Sequence, residues 1–388
     1  MIDKTEEGLL SGITVLDMSQ FLAGPMAALR LGDLGARVIK VERPDGGDLC
    51  RRLYLSDTEI GGDSTLFHAI NRGKESFAGN MKDPQDLEAI RALIAKADVV
   101  IQNFRPGVIE RLGLDYEAAK AINPRIVYGS ITGYGTADEW RALPGQDLLA
   151  QARSGAMWLN GEADDGPVPF GLAVADMLAG NLLVQGVLAG LVRRSVTGIG
   201  VHVETSLIEA MIDFQFEVLT THLNDGGRLP KKSSVRNAHA YLSAPYGVYQ
   251  CADGWMALAM MPLAKLAPLL DLPALDSYTP AEAFSHRDEI KTMIAGKLRE
   301  KTVRQWLGIL EPADIWAAEV LDWPKLMQTA AFRQLDMLQT VNRGDGVSVR
   351  TTASPIRVNG HRHKNDQAAP KIGSQTEDIR AELAAQAE

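Results

Sequence analysis

Residues 12–42 read GITVLDMSQFLAGPMAALRLGDLGARVIKVE, and this stretch decides the fold. Ile13–Asp17 is a short β-branched run of the kind that packs well on a pleated surface. Ala23-Gly24-Pro25 opens a helical pattern that ends near Gly35, and Ala36–Glu42 is a second buried strand. The unit recurs downstream. Asp83-Pro84 offers a capping side chain with proline at the first helical position, and Leu87, Ile90, Leu93 and Ile94 keep helical spacing. Asp98–Gln102 and Arg125–Ile131 are further apolar runs. Strands that alternate with helices imply an α/β chain with an open parallel sheet.

The pattern changes after about residue 220. Asp253-Gly254 between Tyr246–Cys251 and Trp255–Met260 signals a hairpin. Helical segments are expected at 281–298 and 302–311, and strands at 347–352 and 355–358. The expected domains are therefore 1–220 with 330–388, a large α/β domain, and 221–329, a smaller α+β domain.

The 388 residues are 46% hydrophobic and 23% charged, ordinary globular composition, and 40 basic against 49 acidic side chains leave a net charge of −9. That balance argues against nucleic acid or an anionic membrane as partner, so a polyanionic small molecule would need a local basic pocket. Cys50 and Cys251 are too far apart in sequence to suggest a disulfide framework or zinc ligands. Together with an N-terminus lacking an apolar signal region, they point to a cytoplasmic protein. The apolar stretch 172–192 contains Asp176, Asn181 and Gln185, which suits a buried globular helix better than a membrane span.

Only Gly24 stands where a dinucleotide-binding turn needs G-x-G-x-x-G. His361-Arg362-His363 lacks the further ligands of a metal site, and no G-x-S-x-G is present. The basic residues are more informative. Arg43, Lys82, Arg105 and Arg111 all fall near the carboxyl ends of strands, where open sheets bind ligands, and Asn103 and Phe104 share that edge. Spacing alone does not separate a binding site from solvated charges. Asp176, at the start of an apolar helix, likewise supports two readings. It is either an N-cap or a desolvated carboxylate nucleophile.

The ordered set GITVLDMSQFLAGP, LGDLGARVIKVERPDGGD, ADVVIQNFRPGVIERLGL, NPRIVYGSITGYG, GQDLLAQARSG, VADMLAG and TGIGVHVETSLIEAM, with SPIRVNG and APKIGSQTEDI near the end, resembles family III CoA-transferases of the formyl-CoA and carnitine type. The resemblance implies a Rossmann-like large domain, coenzyme A as substrate, no metal, and a homodimer of interlocked chains. It implies Asp176 as nucleophile, and CoA contacts at Leu22, Ala23, Arg43, Met81, Lys82, Asn103, Phe104, Arg105, Arg111, Thr132 and Tyr134. Leu22 and Thr132 stand where some transferases carry glutamine and lysine. The related α-methylacyl-CoA racemases resemble G-H-D where this chain has Gly145-Gln146-Asp147, and place a glutamate where it has Met261. Both differences remove titratable groups that proton exchange requires, and Asp176 weighs against the other alternative, a non-catalytic CoA-binding dimer. Transfer between an acyl-CoA and a carboxylic acid, dicarboxylic or small hydroxy, is therefore the expected reaction.

Overall fold

A computed structural model describes residues 8–136 and 138–385. The chain divides into two compact units. The first runs to Ala150 and adds Ala173–Phe214 and everything from Arg333. The second comprises Gln151–Leu172 and Gln215–Phe332. The sequence boundaries at 220 and 330 fall close to these, but 151–172 had been placed in the large domain. Its membership in the second unit follows from its bonds. Arg236 N–H donates to Glu162 at 2.9 Å, and Lys232 Nζ reaches the Asn160 carbonyl at 2.8 Å.

The first unit is built on six parallel strands: β1 (Thr14–Asp17), β2 (Arg37–Glu42), β3 (Glu75–Ala78), β4 (Val99–Gln102), β5 (Val127–Thr132) and β6 (Val201–Ser206). Their order is β3-β2-β1-β4-β5-β6. The chain winds outward from β1 to one side and from β4 to the other, so the order reverses between β1 and β4. That crevice is where open α/β sheets place ligands.

Alternation splits the sheet's side chains. Leu16, Ile39, Val100 and Tyr128 face a core completed by Ile90 and Ile94 of α2 (Pro84–Lys96), Ala119 of α3 (Tyr116–Ile122) and Ile379 of the C-terminal helix Thr376–Ala385. The other face carries α1 (Ala23–Asp33) and α4 (Val174–Thr197). Asp83 caps α2 as its sequence requires, accepting from Gln85 and Asp86 N–H. By length and composition α4 is apolar enough to cross a membrane. Its Ala175, Ala179, Leu183 and Val187 are instead buried in the unit, and Arg194 near its end pairs with Asp98 at 2.9 Å.

The second unit holds β7 (Gly247–Gln250), β8 (Trp255–Leu258) and β9 (Ala317–Glu319), all antiparallel, with the hairpin at Asp253-Gly254. The expected helix 281–298 is broken at His286 into Glu282–Ser285 and Arg287–Leu298. Trp306, Tyr249, Ile290 and Ile294 form its core. Back in the first unit, β10 (Leu338–Asn342) and β11 (Ser348–Thr352) make a hairpin. The expected strand at 355–358 is absent. Pro355 offers no N–H, and Val358 instead closes a tight turn with His361 through Asn359 and Gly360, both at positive φ.

Candidate active site

The crevice between β1 and β4 is occupied by the loop Ser19–Leu22, whose backbone is tied down at every step. Ser19 N–H donates to Asp17 at 3.0 Å, and its carbonyl accepts from Lys40 Nζ at 2.8 Å. Asn103, just past β4, takes the Gln20 N–H at 2.8 Å and returns its amide to the Gln20 carbonyl at 2.7 Å. Phe21 N–H donates to Asp48 at 3.1 Å. The Asn103 amide is thus spent on the loop, so this residue shapes the crevice from within.

Below the loop lies a layer of buried charge. Lys40 pairs with Asp48 at 3.0 Å, Lys74 with Asp17 at 2.8 Å, and Arg51 with Glu42 at 2.7 Å and Asp63 at 2.9 Å. Burial alone would raise Asp17, but Lys40 and Lys74 together hold it below the ordinary range. Burial lowers Lys74 to about 8 despite its carboxylate. Such a layer is rigid because every member is committed to a partner.

Above it, a cavity of about 150 Å³ is lined by Arg43, Met81, Lys82 and Phe104, with Val108 and Leu112 closing its apolar side. Phe104 also borders a second cavity of about 370 Å³, on which Arg105 and Thr132 lie. The side chains of Arg43, Lys82, Arg105 and Arg111 are exposed and have no hydrogen-bond or ion-pair partner among the described residues. Four cations without a direct ion-pair partner along one sheet edge suit a polyanionic ligand, and Glu110, Asp115, Glu204 and Glu209 share the larger cavity with Arg105. The structure therefore brings Arg43, Met81, Lys82 and Phe104 around one cavity and Arg105 and Thr132 around its neighbour. Arg111 folds back over the Gly107 turn. Tyr134 is buried with its hydroxyl on the Pro144 carbonyl at 3.1 Å, and Thr132 accepts the Gly135 N–H at 2.9 Å.

Asp176 is the third residue of α4, three positions past its N-cap. Ala173 occupies the cap and contributes no side-chain bond. The capping acceptor comes from elsewhere. Asp147 takes the N–H of Ala175 at 2.7 Å and of Asp176 at 3.2 Å. Asp147 reaches α4 because Gly133, just past β5, and Gly145 cross backbone to backbone. A Cβ on Gly133 would stand 2.6 Å from the Gly145 Cα. A second close approach sets the neighbour of Asp176. A Cβ on Gly180, one turn further along α4, would lie 2.7 Å from the Ala23 carbonyl oxygen. Gly180, one turn beyond Asp176, thus packs α4 against Ala23 at the start of α1.

The Asp176 carboxylate makes no hydrogen bond or ion pair with the described residues. Burial, and then the like charge of Asp147, raise it to about 7. Asp147 was not singled out from sequence, although Gly145-Gln146-Asp147 had been read for its glutamine. Replacing Asp147 by Asn keeps the cap acceptor and removes the charge. The acid limb of the rate profile, kcat/KM against pH, should then move down by about one unit, with the plateau above it retained. An unmoved limb would detach Asp147 from Asp176.

A parallel sheet with exposed cations near its switch point, and a raised carboxylate at a helix start, suits a large anionic substrate. Comparison with known proteins gives the family. The model of CoA-transferase family III matches residues 10–376. Succinate--glutarate CoA-transferase of Agrobacterium fabrum is 30% identical, over 96% of this chain and 95% of that protein. Acetyl-CoA:oxalate CoA-transferase of Acetobacter aceti is also 30% identical, over 98% and 97%. The crystal structure of a CAIB/BAIF family protein from Brucella suis superposes with a TM-score of 0.84 at 31% identity, over 97% of this chain and 100% of that one. The chain belongs to CoA-transferase family III. It is a CoA-transferase, moving CoA between an acyl-CoA and a carboxylic acid, with CoA as substrate. Among the described residues no cluster of three or more His, Cys, Asp or Glu side chains is arranged to hold a metal ion.

Proposed function

We propose that this CoA-transferase acts on dicarboxylic acids through a covalent intermediate on Asp176. The observation that carries the reading is a carboxylate without a hydrogen-bond or ion-pair partner among the described residues, raised to about 7, on the same unit as a cavity edged by exposed Arg43 and Lys82. Arg43, Lys82, Arg105 and Arg111 take the phosphates of acyl-CoA, and the cavity at Met81 and Phe104 takes its heterocycle. The pantetheine arm then points past Gln20 toward Asp176.

An Asp176 oxygen attacks the thioester carbonyl, the C–S bond breaks, and an aspartyl anhydride forms with free CoA thiolate. The thiolate attacks the aspartyl carbonyl, releasing the donor acid and leaving an aspartyl thioester. The acceptor acid repeats the exchange in reverse order, restoring the carboxylate. Dividing one difficult displacement into steps is what a covalent nucleophile contributes, and a carboxylate without hydrogen-bond partners is the more reactive one. The acids named for the two relatives, glutarate and succinate in one and oxalate in the other, favour a dicarboxylic over a hydroxy acid.

Racemisation would need a second titratable group across the α-carbon. Gln146 is exposed and carries none, and neither does Met261. The test is isotopic. Labelled free succinate or glutarate should enter the acyl-CoA pool, while 2-methylacyl-CoA in D₂O keeps its α-proton. Deuteration without acid exchange would reverse the assignment.

We further propose that the active form is a homodimer. The outer face of α4 leaves Met177, Val192 and Val196 in solvent, Val196 being 83% exposed, and Ile199 and Ile212 of the same unit are exposed as well. These exposed apolar side chains offer contact points for a partner, and a second copy is the partner expected. Sedimentation should give twice the 42.0 kDa of one chain, and monomer alone would refute it.

A further inference from the structure

We infer that Phe21 is a specificity-determining residue: its ring is the wall against which the donor's acyl chain lies, and the buried Asp48–Lys40 pair holds it there. The inference deepens the transferase reading and rests on it. The thioester has to span the interval from the crevice, where Asn103 grips Gln20, to Asp176, one helical turn before the point where Gly180 lets Ala23 approach. The chain segment covering that interval is Gln20–Ala23. Leu22 packs inward with Met26, Cys50 and Phe67, and Ala23 is buried. Phe21, 47% exposed, is the one large side chain the segment turns outward.

Its backbone supports the same conclusion. Phe21 adopts φ +62°, a left-handed conformation that is costly for an aromatic residue and persists only where the surroundings impose it. Here they do. The N–H groups of residues 19–21 donate to Asp17, Asn103 and Asp48, and Lys40 donates to the Ser19 carbonyl, which leaves the segment no alternative. Lys40 and Asp48 are both buried, and the pair fixes the acceptor that Phe21 N–H uses. A turn needing only shape would be served by glycine at no steric cost. An aromatic ring held at this position is best explained by what it touches. An apolar wall gains from methylenes, so it selects succinyl- and glutaryl-type chains and gains nothing from oxalyl.

Binding reads this without turnover. By calorimetry the wild-type protein should bind butyryl-CoA about 10-fold more tightly than acetyl-CoA, as two buried methylenes predict. Phe21→Gly, which accepts the same φ, should bring that ratio near one and leave the affinity for free CoA within about twofold. Phe21→Tyr should restore it. Asp48→Ala, which loses the acceptor, should behave like Phe21→Gly, while Asp48→Asn, which keeps it, should retain most of the ratio. A ratio unchanged in Phe21→Gly overturns the inference, as does an equal loss for free CoA. Absence of acid exchange in the wild-type protein counts against the transferase mechanism alone, since the butyryl to acetyl ratio is independent of it.

Discussion

Asp176→Asn should abolish acid exchange, by on the order of 10⁴-fold or more, while making the protein more stable above neutral pH. The first half follows from chemistry, since an amide cannot form the anhydride and asparagine keeps the size of the side chain. The second follows from linkage. The folded-state pKa of Asp176 is about 7, raised from 3.8 by burial and then by Asp147. The folded protein therefore holds this proton where the unfolded chain has released it. A raised pKa contributes stability that is fully present below the unfolded value and lost as pH rises through the folded one. Between about pH 4 and pH 8 the wild-type protein gives up as much as about 4 kcal/mol at this side chain, less whatever solvent screens at its half-buried edge. Asparagine gives up nothing. The gap in Tm between variant and wild type should thus widen from pH 5 to pH 8. Activity lost and stability gained at one atom is the signature of a site strained for use. Near-wild-type exchange in the variant would remove Asp176 from the mechanism. A variant less stable than wild type at pH 8 would mean that the carboxylate serves the helix after all.

Which parts of this arrangement were readable in the sequence depends on how local their causes are. β1, β2, β4 and β5 are apolar runs bounded by turn residues, and α2 carries its own cap in Asp83, so all were legible to within two residues. β3 was not. Its four residues, ESFA, contain one large apolar side chain, and they become a strand only by pairing beside β2. β6 alternates valine with histidine and glutamate because it is an edge strand with one face open, and no continuous run announces it. The same distinction governs the site. Asp176 and the basic residues at strand ends could be located because position relative to an element is a local property. The capping role of Asp147 could not, since the groups it binds lie 28 and 29 residues away and the approach depends on two glycines crossing. Asn103 lies just past β4, and its amide is consumed by Gln20, a pairing across 83 residues. Residues 151–172 carry only the end of the helix Asp147–Arg153 and a short helical turn at Ala156–Trp158 within the described elements, so composition gave no sign that they fold with the second unit.

The buried charge beneath the loop makes a separate, large prediction for stability. Lys40 has no exposed surface, and its ammonium serves the Ser19 carbonyl, Asp48 at 3.0 Å and Asp17 at 3.8 Å. Asp17 keeps Lys74 if Lys40 is removed, but Asp48 loses its cation. Lys40→Met, which preserves most of the volume, should therefore cost about 3–5 kcal/mol, the usual consequence of stranding one member of a buried pair. For a unit of this size that is roughly 10 °C in Tm. The charge and the hydrogen bonds can be told apart. Asp48 also accepts N–H groups from Phe21 and Cys50, so deleting it outright would strand two donors. Asparagine at 48 retains the acceptor oxygen and drops the charge. The double variant Lys40→Met with Asp48→Asn should recover more than half of the loss, because a neutral pair no longer bears the cost of an uncompensated ion. Thermal melts of the two single variants and the double, compared as a cycle, measure the coupling. If the double variant is as unstable as Lys40→Met alone, the cost lies in the lost contact with Ser19, and the electrostatic account of this layer fails.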